Sequence, residues 1–494
     1  MERLRVLLIN PPIVLPIGTT PTSSPPLGLA YLAGVLEKRF DVNIMDCIAE
    51  GINKRAYYSK GLERWGVDMD ELNLRITRWE PDVVGISCRY SSQENIIYDI
   101  AKVYKHYAKI RSRNIVVVVG GPHASAVPWR IMENEDIDFV VIGEGEVPMF
   151  QLCRSLQTGS GTNNIEGLAF MDLTGKILVN PRSTYIDHPD QIPFPARHLL
   201  MMEKYKNLPL YFQPKTENHT NMLLSRGCDS HCTFCSVPFC FGNKFRPRSP
   251  ENVLKEIQRL VERSNIQEIY FEDDNFFHDL DIAEQICEGI VEKGLNIFWS
   301  AQSGFVGRGY NNRLISLMKK SGCYNITLNI ESGCDRVMSE VINGPNEINI
   351  LLNMINALRN AGIGVSANFR VGFPGETKEE ITRTFQFINT FKLENFNVHL
   401  AQPYPGTPMW EHCEKENSFI HEITSSSYLL EEYLIHTQHF EREDLFKIYE
   451  TGMKSVWKKQ VTLKPGMLID SIGGLIDRHV LHPFTSKEKK RRGR

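Results

Sequence analysis

At 494 residues the chain exceeds one ordinary domain and suits about three, and 42% hydrophobic with 23% charged residues is a composition that supports packed cores. Lys and Arg number 56 against 59 Asp and Glu, so no excess of positive charge points to nucleic acid. No apolar run reaches the roughly 18–20 residues of a membrane span, and residues 1–9 run too soon into Asn10-Pro11-Pro12 for a signal peptide, so a cytoplasmic location is expected.

The chain opens with an aliphatic run at 5–9 and a Pro/Thr/Ser-rich loop reaching Pro26. Residues 27–40 then place apolar side chains at 29, 32, 33, 35 and 36, one face of a helix. Further aliphatic runs at 42–45, 82–87, 115–119 and 139–142 lead into loops, two of them Gly120-Gly121-Pro122-His123 and Gly143-Glu144-Gly145-Glu146. Strands nearly continuous in aliphatics and alternating with helices predict a doubly wound parallel sheet, with the Gly-rich loops gathered beyond the strands' carboxyl ends, where such sheets bind ligands. Residues 156–215 read as a connector, with a hairpin around 172–176 and a Pro-containing stretch at 187–197.

After the apolar run 221–224 comes Ser225-Arg226-Gly227-Cys228-Asp229-Ser230-His231-Cys232-Thr233-Phe234-Cys235, a CxxxCxxC loop. Thiolates at Cys228, Cys232 and Cys235 can each ligate one iron of a 4Fe–4S cluster, leaving the fourth iron open to a substrate or cofactor. Structural zinc is the alternative, with His231 or Cys240 as the fourth donor. Cys240, Cys323 and Cys334 lack close spacing and read as buried or loop thiols.

A helix over 249–262 starts with Ser249 as N-cap and Pro250 at its first position. Strand-like runs at 268–272, 297–301, 324–330, 364–371 and 396–401 follow, making six strand–helix units with the first. Several end in polar loops: Asp273-Asp274-Asn275, Glu331-Ser332-Gly333 and Gly372-Phe373-Pro374-Gly375-Glu376. Six units are too few to close an eight-stranded barrel, which predicts an open (β/α)6 partial barrel with its site at the carboxyl ends of the strands.

The cysteine spacing with Phe234 before the last cysteine resembles the signature of the radical S-adenosylmethionine (SAM) enzymes, in which the amino-acid end of SAM chelates the open iron. The N-terminal motifs, from Pro25-Pro26-Leu27-Gly28 through the loops Gly120-Gly121 and Gly143-Glu144-Gly145-Glu146, resemble the Rossmann-like, flavodoxin-like cobalamin-binding domain fused to many of these enzymes. The resemblance implies a 4Fe–4S cluster, SAM and cobalamin. It also implies SAM contacts at Phe234, Asp273, Asp274, Glu331, Ser332, Gly372 and Pro374, and corrinoid contacts at Gly120, Gly121, Gly143, Glu144, Gly145 and Glu146. Relatives that ligate cobalt from below carry a DxHxxG loop; here it reads Asp46-Cys47-Ile48-Ala49-Glu50-Gly51, so cobalamin is expected without a histidine on its lower face, with Arg89 or Tyr90 near it. After Trp299-Ser300-Ala301-Gln302, where relatives carry an arginine, Ser303-Gly304 stand.

The expected division is a cobalamin-binding domain at 1–155, a linker at 156–215, a radical SAM barrel at 216–445 and a helical region at 446–494. That last region ends in a basic tail, and its apolar residues 468–476 suggest peripheral membrane contact. The implied activity is methylation of an unactivated carbon of a small molecule or lipid, initiated by a 5′-deoxyadenosyl radical and completed by methylcobalamin, with electrons from a donor such as flavodoxin or ferredoxin. Rivals are an oxidative cyclase of the magnesium-protoporphyrin monomethyl ester type, a tRNA methylthiotransferase and a non-catalytic corrinoid carrier. No residue announces the substrate.

Overall fold

A computed structural model describes residues 3–305, 309–429 and 433–463. The basic tail and the apolar residues 468–476 lie outside the described residues, as does the side chain of Ser303. Among the described residues no helix is long and apolar enough to cross a membrane.

The N-terminal part contains β1 (Arg5–Asn10), β2 (Ile13–Pro16), β3 (Asp41–Asp46), β4 (Arg55–Ser59), β5 (Leu62–Trp65), β6 (Val83–Ser87), β7 (Val116–Gly120) and β8 (Phe139–Val141), followed by β9 (Leu168–Met171) and β10 (Ile177–Val179). Seven of these form one sheet in the order β10-β9-β8-β7-β6-β1-β3, parallel from β3 to β8. The run Val116-Val117-Val118-Val119 is buried throughout because helices cover both faces of the sheet. The chain goes from β1 outward to β3 and then crosses to β6 on the other side. This reversal opens a crevice at the carboxyl ends of β1 and β6. The hairpin expected around 172–176 is β9–β10, which pairs antiparallel onto β8 and covers what would otherwise be an open sheet edge. Strands β2, β5 and β4 form a separate small antiparallel sheet.

The second part is a six-stranded parallel sheet of β11 (His219–Met222), β14 (Glu268–Phe271), β15 (Phe298–Phe305), β16 (Cys323–Glu331), β17 (Gly364–Val371) and β18 (Phe396–Leu400), in chain order. Helices follow the strands, as the periodicity requires; Pro250–Ser264 is capped by Ser249, whose hydroxyl accepts from Asn252 N at 3.2 Å. Between β11 and that helix, β12 (Ser225–Arg226) pairs antiparallel with β13 (Arg246–Pro247). This two-stranded clip closes the base of the cysteine loop. The final helix, Arg442–Leu463, lies against Lys378–Ile388 and ties in through Gln460, which accepts from Leu393 N and donates to Phe391 O. The short helix Ser425–Leu429 reaches back to the first part, where Leu429 packs with Val14 and Leu62.

Candidate active site

The cysteine loop is built from its anchors inward. Asp273, fully buried just after β14, accepts from the amides of Leu224 and Ser225 at 2.6–3.0 Å and from the Ser225 hydroxyl at 2.7 Å, so it fixes the start of the loop. Farther along, Thr233 N donates to Ile342 O, and Met409 N donates to Thr233 O. The three loop cysteines are half-buried, whereas the other eight are buried. Burial pushes the Cys232 and Cys235 thiols up to about 12, and neighbouring thiols of the trio push the same way. Iron would have to displace those protons on binding. Among the described residues no three His, Cys, Asp or Glu side chains converge on one point as a single ion needs. His231 is exposed and Cys240 is buried in another cavity's wall, so neither completes a zinc tetrahedron with the trio. A cubane places one thiolate at each of three separate irons, which suits three thiols spread along a loop.

Around this loop the structure sorts the expected SAM contacts into two groups. Phe234, Asp274 and Pro374 keep part of their surface exposed, whereas Glu331, at 8% exposed, is buried. Burial raises the Asp274 carboxyl to about 6, and next to it Asn275 keeps both amide atoms buried without partners. Glu331 adopts φ 69°, left-handed for a residue with a side chain, and pairs with Arg370. Arg370 in turn lies 4.4 Å over the Phe234 ring, which packs 5.8 Å from Phe373. The Asp273 carboxylate and the Ser332 hydroxyl are engaged with the protein itself. Asp273 holds the loop, and the fully buried Ser332 hydroxyl is spent on Thr384 and Cys334 N. Gly372, at φ 89°, is held by Glu376 through its N–H and by Tyr433 through its carbonyl. Arg370 had gone unnoticed in the sequence; its signal was the one charged residue in the strand Gly364–Val371.

A second cavity, of about 350 Å³, sits at the crevice of the first sheet. Leu8, Gly85, Gly120, Gly121, Gly143 and Gly145 line it from that sheet's side, and Leu223, Arg226, Cys240 and Glu272 from the barrel's side. Gly121 has φ 116°, and a Cβ there would come within 2.6 Å of Cys88 O, so this turn requires glycine. Apolar walls, glycine-lined space and this volume fit the nucleotide tail of a corrinoid. At the DxHxxG position Ile48 is buried, and Asp46 caps the following turn and accepts from Tyr205 at 2.6 Å. Arg89 lines the cavity with Glu272 and lies over the Tyr90 ring at 5.4 Å.

The two centres are joined by buried charge. Arg226, two residues before Cys228, donates to Glu144 at 3.0 Å and Glu146 at 2.6 Å, and Arg246 reaches Glu144 at 3.0 Å. All four residues are at most 7% exposed. The charge-assisted contacts bind the Gly143–Glu146 loop to the strands that clip the cysteine loop.

Comparison with known proteins agrees with both halves. The model of the radical SAM superfamily matches residues 222–388, and that of the B12 binding domain matches residues 13–152. An uncharacterised methyltransferase of Pyrococcus horikoshii is 31% identical over 479 residues, covering 96% of this chain and 95% of its own. The cytidylyl-2-hydroxyethylphosphonate methyltransferase of Streptomyces wedmorensis is 30% identical, covering 83% of this chain and 82% of its own. The fold is shared with the cobalamin-dependent SAM radical enzyme OxsB, at a TM-score of 0.72 and 15% identity, over 96% of this chain and 75% of that one. On the matched relatives and domains, the chain belongs to the family of cobalamin-dependent radical SAM methyltransferases.

Proposed function

We propose that the chain moves a methyl group from SAM, by way of a corrinoid, to an unactivated carbon of a small molecule or lipid. In this reading residues 1–155 hold the corrinoid and 216–445 hold cluster and SAM, with 156–215 as connector and 446–494 as a helical C-terminal region. The observation that carries the reading is the shared cavity: residues of both halves line it, and one of them, Arg226, sits two residues from Cys228.

When bound, the three cofactors would supply one-electron cleavage of SAM for hydrogen abstraction and a methyl group for the carbon so activated. The chain's own residues prepare that chemistry. Cys228, Cys232 and Cys235 would hold the cluster, and Phe234, gripped between Arg370 and Phe373, keeps their loop in place. Asp274 offers an acceptor to an ammonium. The free oxygen of Glu331 offers one to a ribose hydroxyl, and the Gly372–Pro374 turn offers an apolar edge to adenine. On the other side Gly120, Gly121, Gly143 and Gly145 leave room for the corrinoid tail, while Glu144 and Glu146 hold their loop to Arg226. The half-buried cysteine loop is where an external flavodoxin or ferredoxin would deliver electrons.

The test is incubation of the anaerobically reconstituted protein with methyl-deuterated SAM, reductant and an extract of the source cells. Reductant-dependent 5′-deoxyadenosine together with a deuterated methyl product is expected. If 5′-deoxyadenosine forms and an oxidised or cyclised product carries no label, the cyclase reading replaces this one.

A further inference from the structure

Alternate residues of β16, β17 and β18 face the barrel lumen, because Ile326, Leu328, Phe369 and Val398 of the opposite parity are packed in the core. A lumen built for hydrocarbon would carry aliphatic side chains at these positions. Instead Asn329, Asn368 and Asn397 stand in register on the three strands. Their amides form a ladder: Asn397 Nδ2 donates to Asn368 Oδ1 at 3.0 Å, and Asn368 Nδ2 donates to Asn329 Oδ1 at 2.9 Å. Two residues on, about 6–7 Å along the strands, come Glu331, Arg370 and His399, and Arg370 touches the cysteine loop through Phe234. All three ladder residues are half-exposed, so the lumen is open at their level.

The ladder is unsaturated at both ends. Among the described residues, the Asn329 amide nitrogen and the Asn397 amide oxygen have no protein partner. A hydrocarbon tail or the face of a large apolar ring placed there would remove water from these groups and return no hydrogen bond, which disfavours binding. A molecule bearing hydroxyl, amide or phosphate groups would satisfy them.

We infer that the lumen beside the ladder is the methyl acceptor's subsite, and that the acceptor is a polar, water-soluble molecule rather than a lipid. This rests on the methyl-transfer reading above. The experiment divides the cell extract into aqueous and lipid phases, adds each to the loaded protein with methyl-deuterated SAM and reductant, and asks where the label goes. Label in an aqueous-phase product is expected. Asn368→Leu and Asn397→Leu should each raise the ratio of 5′-deoxyadenosine to labelled product about tenfold or more, while the change that SAM causes in the reduced cluster's electron paramagnetic resonance (EPR) spectrum persists. Asn397 is half-exposed on an edge strand, so its variant keeps the test usable if Asn368→Leu does not fold. Label in the lipid phase would overturn the inference. Loss of the SAM-induced spectral change with the product ratio unmoved would also overturn it, by assigning the ladder to SAM. Label in neither phase would overturn the methyl-transfer reading itself.

Discussion

The corrinoid-side cavity and the barrel lumen are lined on opposite rules. In the first, glycine and apolar residues dominate the walls, with Arg89 and Glu272 also lining it, and the buried Glu144, Glu146 and Arg226 are spent on one another. In the second, amides and charges line the wall, and among the described residues Asn329 and Asn397 each keep one amide atom without a protein partner. On the proposed reading, shape would select the occupant of one site and hydrogen bonding that of the other. A large, rigid cofactor common to the whole family suits the first rule, and a substrate that differs from one member to the next suits the second.

The largest expected effect falls on the cluster side. Cys228→Ala should remove an iron ligand outright, with 5′-deoxyadenosine formation falling at least about a hundredfold and iron per chain dropping, read by iron and sulfide assay. Next comes the junction between the sites. Glu144→Ala leaves Arg226 and Arg246 short of a buried counter-charge, and a loss of about 3–5 kcal/mol is expected in the first urea transition, with weakened cobalamin retention. A smaller and more selective effect tests the shape rule. Gly28 lines the corrinoid cavity and a Cβ there meets nothing within 4 Å. Gly28→Phe should therefore block cobalamin while leaving thermal stability equal or slightly raised, since glycine is a poor residue within the helix Leu27–Leu36. Unchanged cobalamin affinity would break the comparison.

The smallest effect concerns pH. Burial pushes the Glu376 carboxyl from 4.5 up to about 8, although its contacts with Gly372 N and Phe373 N pull the other way. A folded pKa above the unfolded one means the neutral form's stabilisation is complete below about pH 4.5 and is lost as pH rises through about 8. Glu376→Gln should flatten that decline by about 1 kcal/mol or more between pH 5 and 8, measured by denaturation of the cofactor-free protein.

The strand ends and the cysteine loop were legible because spacing within a short stretch carries them. The parallel strand–helix build of both sheets also followed from aliphatic runs alternating with helical periodicity. What escaped were partnerships across long separations, such as Arg226 with Glu144, 82 residues apart. Neighbouring acids could not be sorted either. Asp273 and Asp274 look alike in sequence, yet one is spent on the backbone of Leu224 and Ser225, whereas the other stays half-buried with its carboxyl raised by burial. The lumen's polarity was written in the alternation Asn325, Thr327, Asn329, Glu331, whose period of two marks one wet face on a strand that otherwise reads as buried.

The central claim is that three thiols hold an incomplete cluster whose free iron takes SAM beside a corrinoid cavity. EPR of the anaerobically reconstituted, reduced protein, titrated with SAM, tests it most directly. The account predicts about four irons per chain and a spectrum that changes on adding SAM. A fully loaded cluster whose spectrum does not respond to SAM would contradict it.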